Sequence, residues 1–254
     1  MEIVILGSGT STGVPMVGCR CPVCSSADER DRRTRASLMI SYSGRNILID
    51  TSTDLRFQML REKVERVDAV LFTHAHADHV NGIDDLRGFH FHHRQVIPCY
   101  ACSTALARLT TGFRYIFERG AEDTHPPLLE PVSIDGPFEL FGQEVIPIPL
   151  VHGAGSACGY RVGNFAYLTD CNDLPQKSVS MLEGLELLVI DGLRWSEHPF
   201  HYNIKGAIAV ADGLKVPRTI LTHLTHEVLH SDSTRLPAGV EFAYDGMKLQ
   251  MSLV

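Results

Sequence analysis

The segment Thr73-His-Ala-His-Ala-Asp-His79 directly follows the apolar run 67–72. Three imidazoles and a carboxylate so close together cannot be buried without partners, so packing does not explain them. As metal ligands they make sense. In an extended chain His74 and His76 point the same way, because side chains alternate with a period of two, and both can reach one metal. Asp78 and His79 lie past a turn and can serve a second. A hard carboxylate with imidazoles suits Zn, Mn or Fe better than Ca or Cu(I). Four ligands are fewer than two metals need, so the rest must come from elsewhere in the chain.

Cys19-Arg-Cys21-Pro-Val-Cys24 is a second cluster. Its three thiolates nearly complete a tetrahedral zinc shell and lack one ligand. Seven cysteines form an odd set in a chain with no secretion signal, which favours metal ligation or buried thiols over disulfides. Cys99 and Cys102 have redox spacing, yet 96–101 reads as a strand and Ser103 as a helix cap, so these two read as ordinary thiols.

The elements that must position these groups follow from apolar patterning. Residues 2–6 read as a strand, followed by the glycine-rich turn 7–15. That turn lacks the spacing of a dinucleotide loop and the lysine of a phosphate loop, leaving only backbone N–H groups offered to an anion. Residues 36–42 and 46–50 read as a hairpin ending in Asp50, a carboxylate suited to accept from a ligand imidazole. Residues 51–62 read as a helix with Leu55, Met59 and Leu60 on its apolar side, and 80–87 as the start of another. The segment 87–94, rich in His and Arg, is either a solvated helix end or a lid carrying Arg87 and Arg94 to an anionic substrate. Residues 103–117 read as an amphipathic helix with Leu106, Leu109, Phe113, Ile116 and Phe117 in the core.

In the second half, strands 143–151, 165–169, 185–190 and 218–222 end in His152, Asp170, Asp191 and His223, with His226 three residues on. His152, Asp170 and His223 are the missing ligand types. His74, His76 and His152 could hold one metal and Asp78, His79 and His223 the other, with Asp170 bridging.

Composition sets bounds. The 254 residues, 44% hydrophobic, suffice for a large core in one large domain or two small ones. A net charge of −7 argues against a polynucleotide-binding surface. No apolar run reaches the ~18 residues of a membrane span, and residues 1–7 lack the basic start of a signal peptide. The expectation is a cytoplasmic protein.

The 73–79 motif with His152, Asp170 and His223 resembles the metallo-β-lactamase superfamily. The resemblance implies an α/β fold, a four-layer αββα sandwich forming one domain over 1–254, with a dinuclear site between two sheet edges and the ligand set above. More narrowly, the 7–15 turn, the cysteine cluster, Leu221-Thr-His-Leu-Thr-His226 and Tyr244-Asp-Gly-Met247 resemble the PhnP-type phosphoribosyl cyclic phosphate phosphodiesterases. That resemblance implies a structural zinc on Cys19, Cys21, Cys24 and His226. It also places His201 near the scissile phosphate, with Asn203 capping the helix that follows.

The implied activity is hydrolysis of a small phosphodiester, cyclic ones included, by a hydroxide held between two Zn or Mn ions. Asp78 would take a proton from the attacking water and His201 give one to the leaving oxygen, with Arg87, Arg94 and His201 contacting substrate. The segment 87–94 does not match that family. Alternatives are a tRNA 3′-processing nuclease, a thioesterase or lactonase, and a non-catalytic metalloprotein like the pyrroloquinoline quinone biosynthesis factor. Asp170, in place of a cysteine ligand, argues against β-lactams, and a homodimer is the default assembly.

Overall fold

Side-chain alternation along the strands dictates the layers. In β1 (Glu2–Gly7), Ile3 and Ile5 face one way and Val4 and Leu6 the other, and all four are buried. A strand covered on both faces needs packing partners above and below, which explains its unbroken apolar run. The computed structural model describes residues 1–118 and 127–253. Among the described residues the first sheet runs β14 (Met247–Gln250), β1, β2 (Ser37–Tyr42), β3 (Arg45–Ile49), β4 (Ala69–Leu71), β5 (Ile97–Cys102), β6 (Leu129–Ile134). The second runs β13 (Val240–Phe242), β12 (Arg218–Thr222), β11 (Leu187–Asp191), β10 (Phe165–Leu168), β9 (Gly155–Val162), β8 (Gln143–His152), β7 (Phe138–Leu140).

Between the sheets, Ile3, Ile40 and Leu71 belong to one core with Tyr160, Tyr167 and Val189. The outer face of the first sheet is covered by α1 (Leu55–Arg61), α2 (Ala77–Val80), α3 (Arg87–His93), α4 (Ser103–Gly112) and α5 (Arg114–Phe117), through Leu55, Val80, Phe89, Leu109 and Ile116. On the second sheet, Ile204, Ala207 and Ala211 of α7 (Ile204–Leu214) pack with Leu168, Ile190 and Leu221, and α6 (Gln176–Ser180) adjoins β8. The order is helix, sheet, sheet, helix, the expected αββα sandwich. Asn203 caps α7, its side chain accepting from the Gly206 amide at 2.8 Å.

Each sheet changes from antiparallel to parallel pairing partway across. The parallel runs are β3–β4–β5–β6 and β10–β11–β12–β13. Parallel strands bring their carboxyl ends to one edge, where open α/β sheets bind ligands. No helix among the described residues is long and apolar enough to cross a membrane.

Five local expectations are corrected. The helix expected over 51–62 begins at Leu55, because Thr51 and Ser52 make other bonds: the Gly82 amide donates to the Thr51 carbonyl and the Thr51 hydroxyl to the Val80 carbonyl. A Cβ on Gly82 would sit 2.1 Å from the Ser52 carbonyl oxygen, so that crossing requires glycine. Leu60 faces solvent, 63% exposed. Residues 103–117 form two helices broken at Phe113, and residues 80–87 give the end of α2, a 3-10 turn and the start of α3. The turn 7–15 has little to offer an anion: the amides of Ser8, Gly9, Thr10, Gly13 and Val14 already donate to Asp245, Thr34, Leu224, Thr10 and Arg33.

Candidate metal centre

Six strand ends converge on one edge of the sandwich. Asp50 follows β3, Thr73 and His74 follow β4, His152 ends β8, Asp170 follows β10, Asp191 ends β11 and His223 follows β12. Asp50, Asp170 and His223 have φ of 62°, 57° and 60°. Outside glycine this left-handed region is sparsely used, with Asp, Asn and His among the residues that tolerate it. The chain turns sharply at each of these three strand ends, and the surrounding fold holds that strain at the site.

Asp170 organises the geometry. Its Oδ1 lies 3.9 Å from Nε2 of both His74 and His152, and its Oδ2 lies 3.0 Å from His79 Nε2 and 3.5 Å from His223 Nε2. The Asp78 carboxylate is 3.4 Å from His79 Nε2 and 3.8 Å from His223 Nε2. His74, His76 and His152 form one group with ligand atoms within 4.8 Å of one another, and Asp78, His79 and His223 form another. One carboxylate thus faces two adjoining sets of imidazoles, which meet where His74, His79 and Asp170 also come within 4.8 Å of one another.

The outer hydrogen bonds select which nitrogen faces inward. His79 Nδ1–H donates to Asp50 Oδ2 at 2.7 Å, and His152 Nδ1–H donates to the Phe200 carbonyl at 3.0 Å. The Thr73 hydroxyl donates to Asp50 Oδ2 at 2.7 Å and can therefore accept from His74 Nδ1–H, 3.0 Å away. Asp50 Oδ1 accepts from the Thr73 amide at 2.8 Å. Asp50 thereby fixes the His79 imidazole directly and the His74 imidazole through Thr73, the kind of arrangement that orients metal-binding histidines.

The site fits a cation on its own evidence. His74 Nε2, His79 Nε2 and both His223 ring nitrogens are buried without a hydrogen-bond partner, a state that carries a desolvation cost unless something coordinates them. Burial, then neighbouring His79, pushes His74 well below the ordinary imidazole range, leaving a neutral ring with a free lone pair. At the other group, burial would lower His223, but Asp170 and Asp78 lift it to about 9. Burial would likewise raise Asp170, but His223 and His79 hold it well below the carboxylate range. Carboxylates and imidazoles thus meet where positive charge is favoured.

At the cysteine cluster, the ligand atoms of Cys19, Cys21, Cys24 and His226 also lie within 4.8 Å of one another. Cys19 Sγ is 3.2 Å and Cys21 Sγ 3.5 Å from His226 Nδ1, and all seven cysteines are free thiols. The Cys24 amide donates to Cys21 Sγ and pulls that thiol down to about 6. The buried Arg33 braces the loop that carries both His223 and His226, donating to the carbonyls of Thr225 and Val228 at 3.1 and 2.8 Å.

His201 also reaches the centre. Its Nδ1 is 4.0 Å from Asp170 Oδ1 and donates to Asp191 Oδ2 at 2.6 Å, and its ring stacks on His223 with centroids 4.9 Å apart. The fully buried Asp191 was visible in the sequence only as a strand end. A cavity of about 450 Å³ opens beside His74, His76 and His152, lined also by Thr104, Arg108 and Phe200. Arg108 gave no sequence signal, because an arginine on the polar side of an amphipathic helix looks like any solvated one. Arg87 and Arg94, expected at the substrate, are not among the lining residues. Arg87 is paired with Asp84 at 2.7 Å in a groove between α1 and α3, and Arg94 ends α3 in a left-handed turn. Their helix lies on the outer face of the first sheet, not over its carboxyl edge.

A family model for the beta-lactamase superfamily domain matches residues 45–224. A crystal structure described as a new diphosphatase from the PhnP family aligns at TM-score 0.92 and 41% identity, over 99% of this chain and 98% of that one. The octanoyltransferase of Porphyromonas gingivalis is 40% identical over 253 residues, 98% of this chain and 51% of that protein, so this chain spans about half of that relative's length. Zn(2+)-bound PqqB from Methylobacterium extorquens aligns at TM-score 0.82 and 22% identity, over 99% of this chain and 100% of that one, a likeness of fold.

Proposed function

This chain belongs to the metallo-β-lactamase superfamily and, within it, to the PhnP family, and from that membership we propose that it hydrolyses a small phosphodiester at a two-metal centre. The hydrolase class goes with the superfamily; the diester substrate is our reading. One observation carries it: the Asp170 carboxylate faces two imidazole groups at once, while His201, backed by Asp191, stands beside the same carboxylate. A paired metal site with an adjacent proton donor suits departure of a poorly stabilised alkoxide from phosphorus. A thioester, with its better leaving group, needs less such help.

In this reading His74, His76 and His152 would hold one Zn or Mn ion, Asp78, His79 and His223 would hold the other, and Asp170 would serve both, while Cys19, Cys21, Cys24 and His226 would hold a structural Zn. When bound, the paired ions supply Lewis acidity toward the phosphoryl oxygens and bring the pKa of a water near neutrality. Asp78, beside His79 and His223, is placed to accept a proton from the attacking water. Asp191 fixes His201 through Nδ1, leaving Nε2 to serve the departing oxygen. The cavity of about 450 Å³ is of a size that suits a small ester.

The test is metal analysis beside an ester panel. Close to three metals per chain, with turnover of bis(p-nitrophenyl) phosphate and a ribose cyclic phosphate but not of an acyl thioester, is the expected result. Thioester turnover without phosphodiester turnover would replace the substrate class. A single metal with no turnover would favour a binding protein instead.

A further inference from the structure

A short strap between β11 and α7 ties the first imidazole group to the proton donor. His152 Nδ1–H donates to the Phe200 carbonyl at 3.0 Å, and the next residue along, His201, is fixed on Asp191 at 2.6 Å. The His152 and His201 rings lie 5.0 Å apart, centre to centre. On one side of this pair the Phe200 amide donates to His198 Nδ1 at 3.3 Å, and on the other the Tyr202 amide donates to the Cys171 carbonyl at 2.7 Å. Phe200 itself is 49% exposed, so burial does not explain a phenylalanine there. Its ring is seated instead on Gly153, where a Cβ would come 2.4 Å from Phe200 Cδ1. Gly153 follows His152 directly, has a φ of 58° and donates its amide to Asn172 Oδ1 at 2.8 Å. The Asn172 amide returns to the Val151 carbonyl at 3.0 Å. The turn that carries His152 is therefore held from the segment after Asp170, and its glycine is where the Phe200 ring rests.

We propose that Phe200 is a positioning residue that couples the His74, His76 and His152 group to His201: its ring and carbonyl together fix the strap to the His152 turn, so that filling that group with metal orders the proton donor. This rests on the two-metal reading above. An imidazole that ligates a cation through Nε2 loses electron density, and its Nδ1–H becomes a stronger donor to the group that accepts it. Here the acceptor is the backbone carbonyl of the residue before His201, so a tighter bond acts on His201 across one peptide unit. A single hydrogen bond to a loop carbonyl leaves the loop free to pivot about it. Contact of the ring with Gly153 supplies the second point of attachment that stops the pivot. The coupling is reciprocal by linkage: a strap held in place raises metal affinity by the same factor as bound metal favours the held strap.

The experiment compares the native chain with Phe200→Ala, Phe200→Tyr, Gly153→Ala and the Gly153→Ala/Phe200→Ala pair, by zinc competition against a chelator and by amide hydrogen exchange with and without zinc. Zinc should slow exchange of the Phe200 and Tyr202 amides in the native chain by about tenfold or more, as expected when a locally opening segment is held. Phe200→Ala should remove most of that difference and weaken one active-site zinc by about tenfold, the lower end for loss of an orienting partner. Phe200→Tyr keeps the ring and should restore both readouts. Gly153→Ala pushes the ring off its seat and should match Phe200→Ala, and the pair should lose no more zinc affinity than either change alone, because both act through one contact. Thermal denaturation checks folding; if Gly153→Ala fails to fold at a φ of 58°, the two Phe200 variants decide. Losses that multiply in the pair, or exchange that zinc slows equally in the native chain and in Phe200→Ala, would overturn the proposal. Both readouts are taken without substrate, so the two ideas fail separately. A native protein that cleaves no phosphodiester but shows zinc-dependent exchange lost in Phe200→Ala would lose the hydrolytic reading and retain the coupling.

Discussion

Asp50→Asn is the most revealing single change, because Asp50 touches no substrate yet holds ligands of both imidazole groups. Its two oxygens accept from the Thr73 amide, the Thr73 hydroxyl and His79 Nδ1–H, and the side chain is completely buried. An asparagine of the same shape brings an NH2 where an acceptor is required. If that NH2 replaces Oδ2, His79 must present a bare Nδ1 and carry its proton on Nε2, where the metal should sit. The Thr73 hydroxyl, now accepting, would turn its proton toward His74 Nδ1 and force the same tautomer there. If the NH2 replaces Oδ1 it opposes the Thr73 amide. Loss of an orienting partner typically costs about 10- to 100-fold in metal affinity, and we expect that loss for Asp50→Asn with the fold retained. Asp50→Ala leaves three buried donors unpaired at about 1–3 kcal/mol each before relaxation, a large share of a stability of about 5–15 kcal/mol, and so should fold poorly. At φ 62°, Asp50→Gly should be roughly 1 kcal/mol less harmful than Ala. The assay is metal content after chelator competition, read beside chemical denaturation. Asp50→Asn with both active-site metals held within twofold of native affinity would refute the tautomer argument.

Three further outcomes are expected. His201→Ala should slow a ribose cyclic phosphate about 10²- to 10⁴-fold while affecting nitrophenyl esters far less, with Asp191→Asn moving in the same direction; equal losses on both substrates would remove the proton-donor role. Cys21→Ser should lose one metal per chain and lower the unfolding temperature together, because the cluster ties the N-terminal loop to the loop of His223; unchanged metal and stability would end the structural-zinc idea. Metal-free His223, lifted to about 9 by Asp170 and Asp78 against the effect of burial, carries a proton at neutral pH. Metal uptake must release it, so apparent affinity should rise with pH up to about 9, and binding heats should depend on buffer ionisation; heats independent of buffer would contradict this.

The candidate ligands were legible because most of them stand where an apolar run stops. A histidine or aspartate at the carboxyl end of a buried strand is conspicuous, and His74, His152, Asp170 and His223 all share that signature. Asp50 was legible for the same reason. Partnerships set by topology were not: Asp191 and His201 sit ten residues apart and meet only because the chain returns to the sheet edge before α7. Arg87 and Arg94 misled because composition reports charge without direction, and α3 lies on the outer face of its sheet. Arg108 was hidden for the converse reason, since helical periodicity separates apolar from polar faces and cannot tell solvent from a cavity. The left-handed turns at Asp50, Asp170 and His223 were invisible too, since the expected glycine is absent from all three.

The two sheets repeat one plan, antiparallel then parallel, and this divides ownership of the centre. Asp50, His74, His76, Asp78 and His79 come from the segment containing β1 to β6, whereas His152, Asp170, Asp191, His201 and His223 come from the segment containing β7 to β13. Neither segment possesses the whole candidate ligand set. A chain severed between β6 and β7 would yield two fragments with unfinished sites, and metal uptake would report their reassembly. The second fragment would also carry β14, the edge strand that pairs with β1, so reassembly would require a strand exchange as well as a docking of faces.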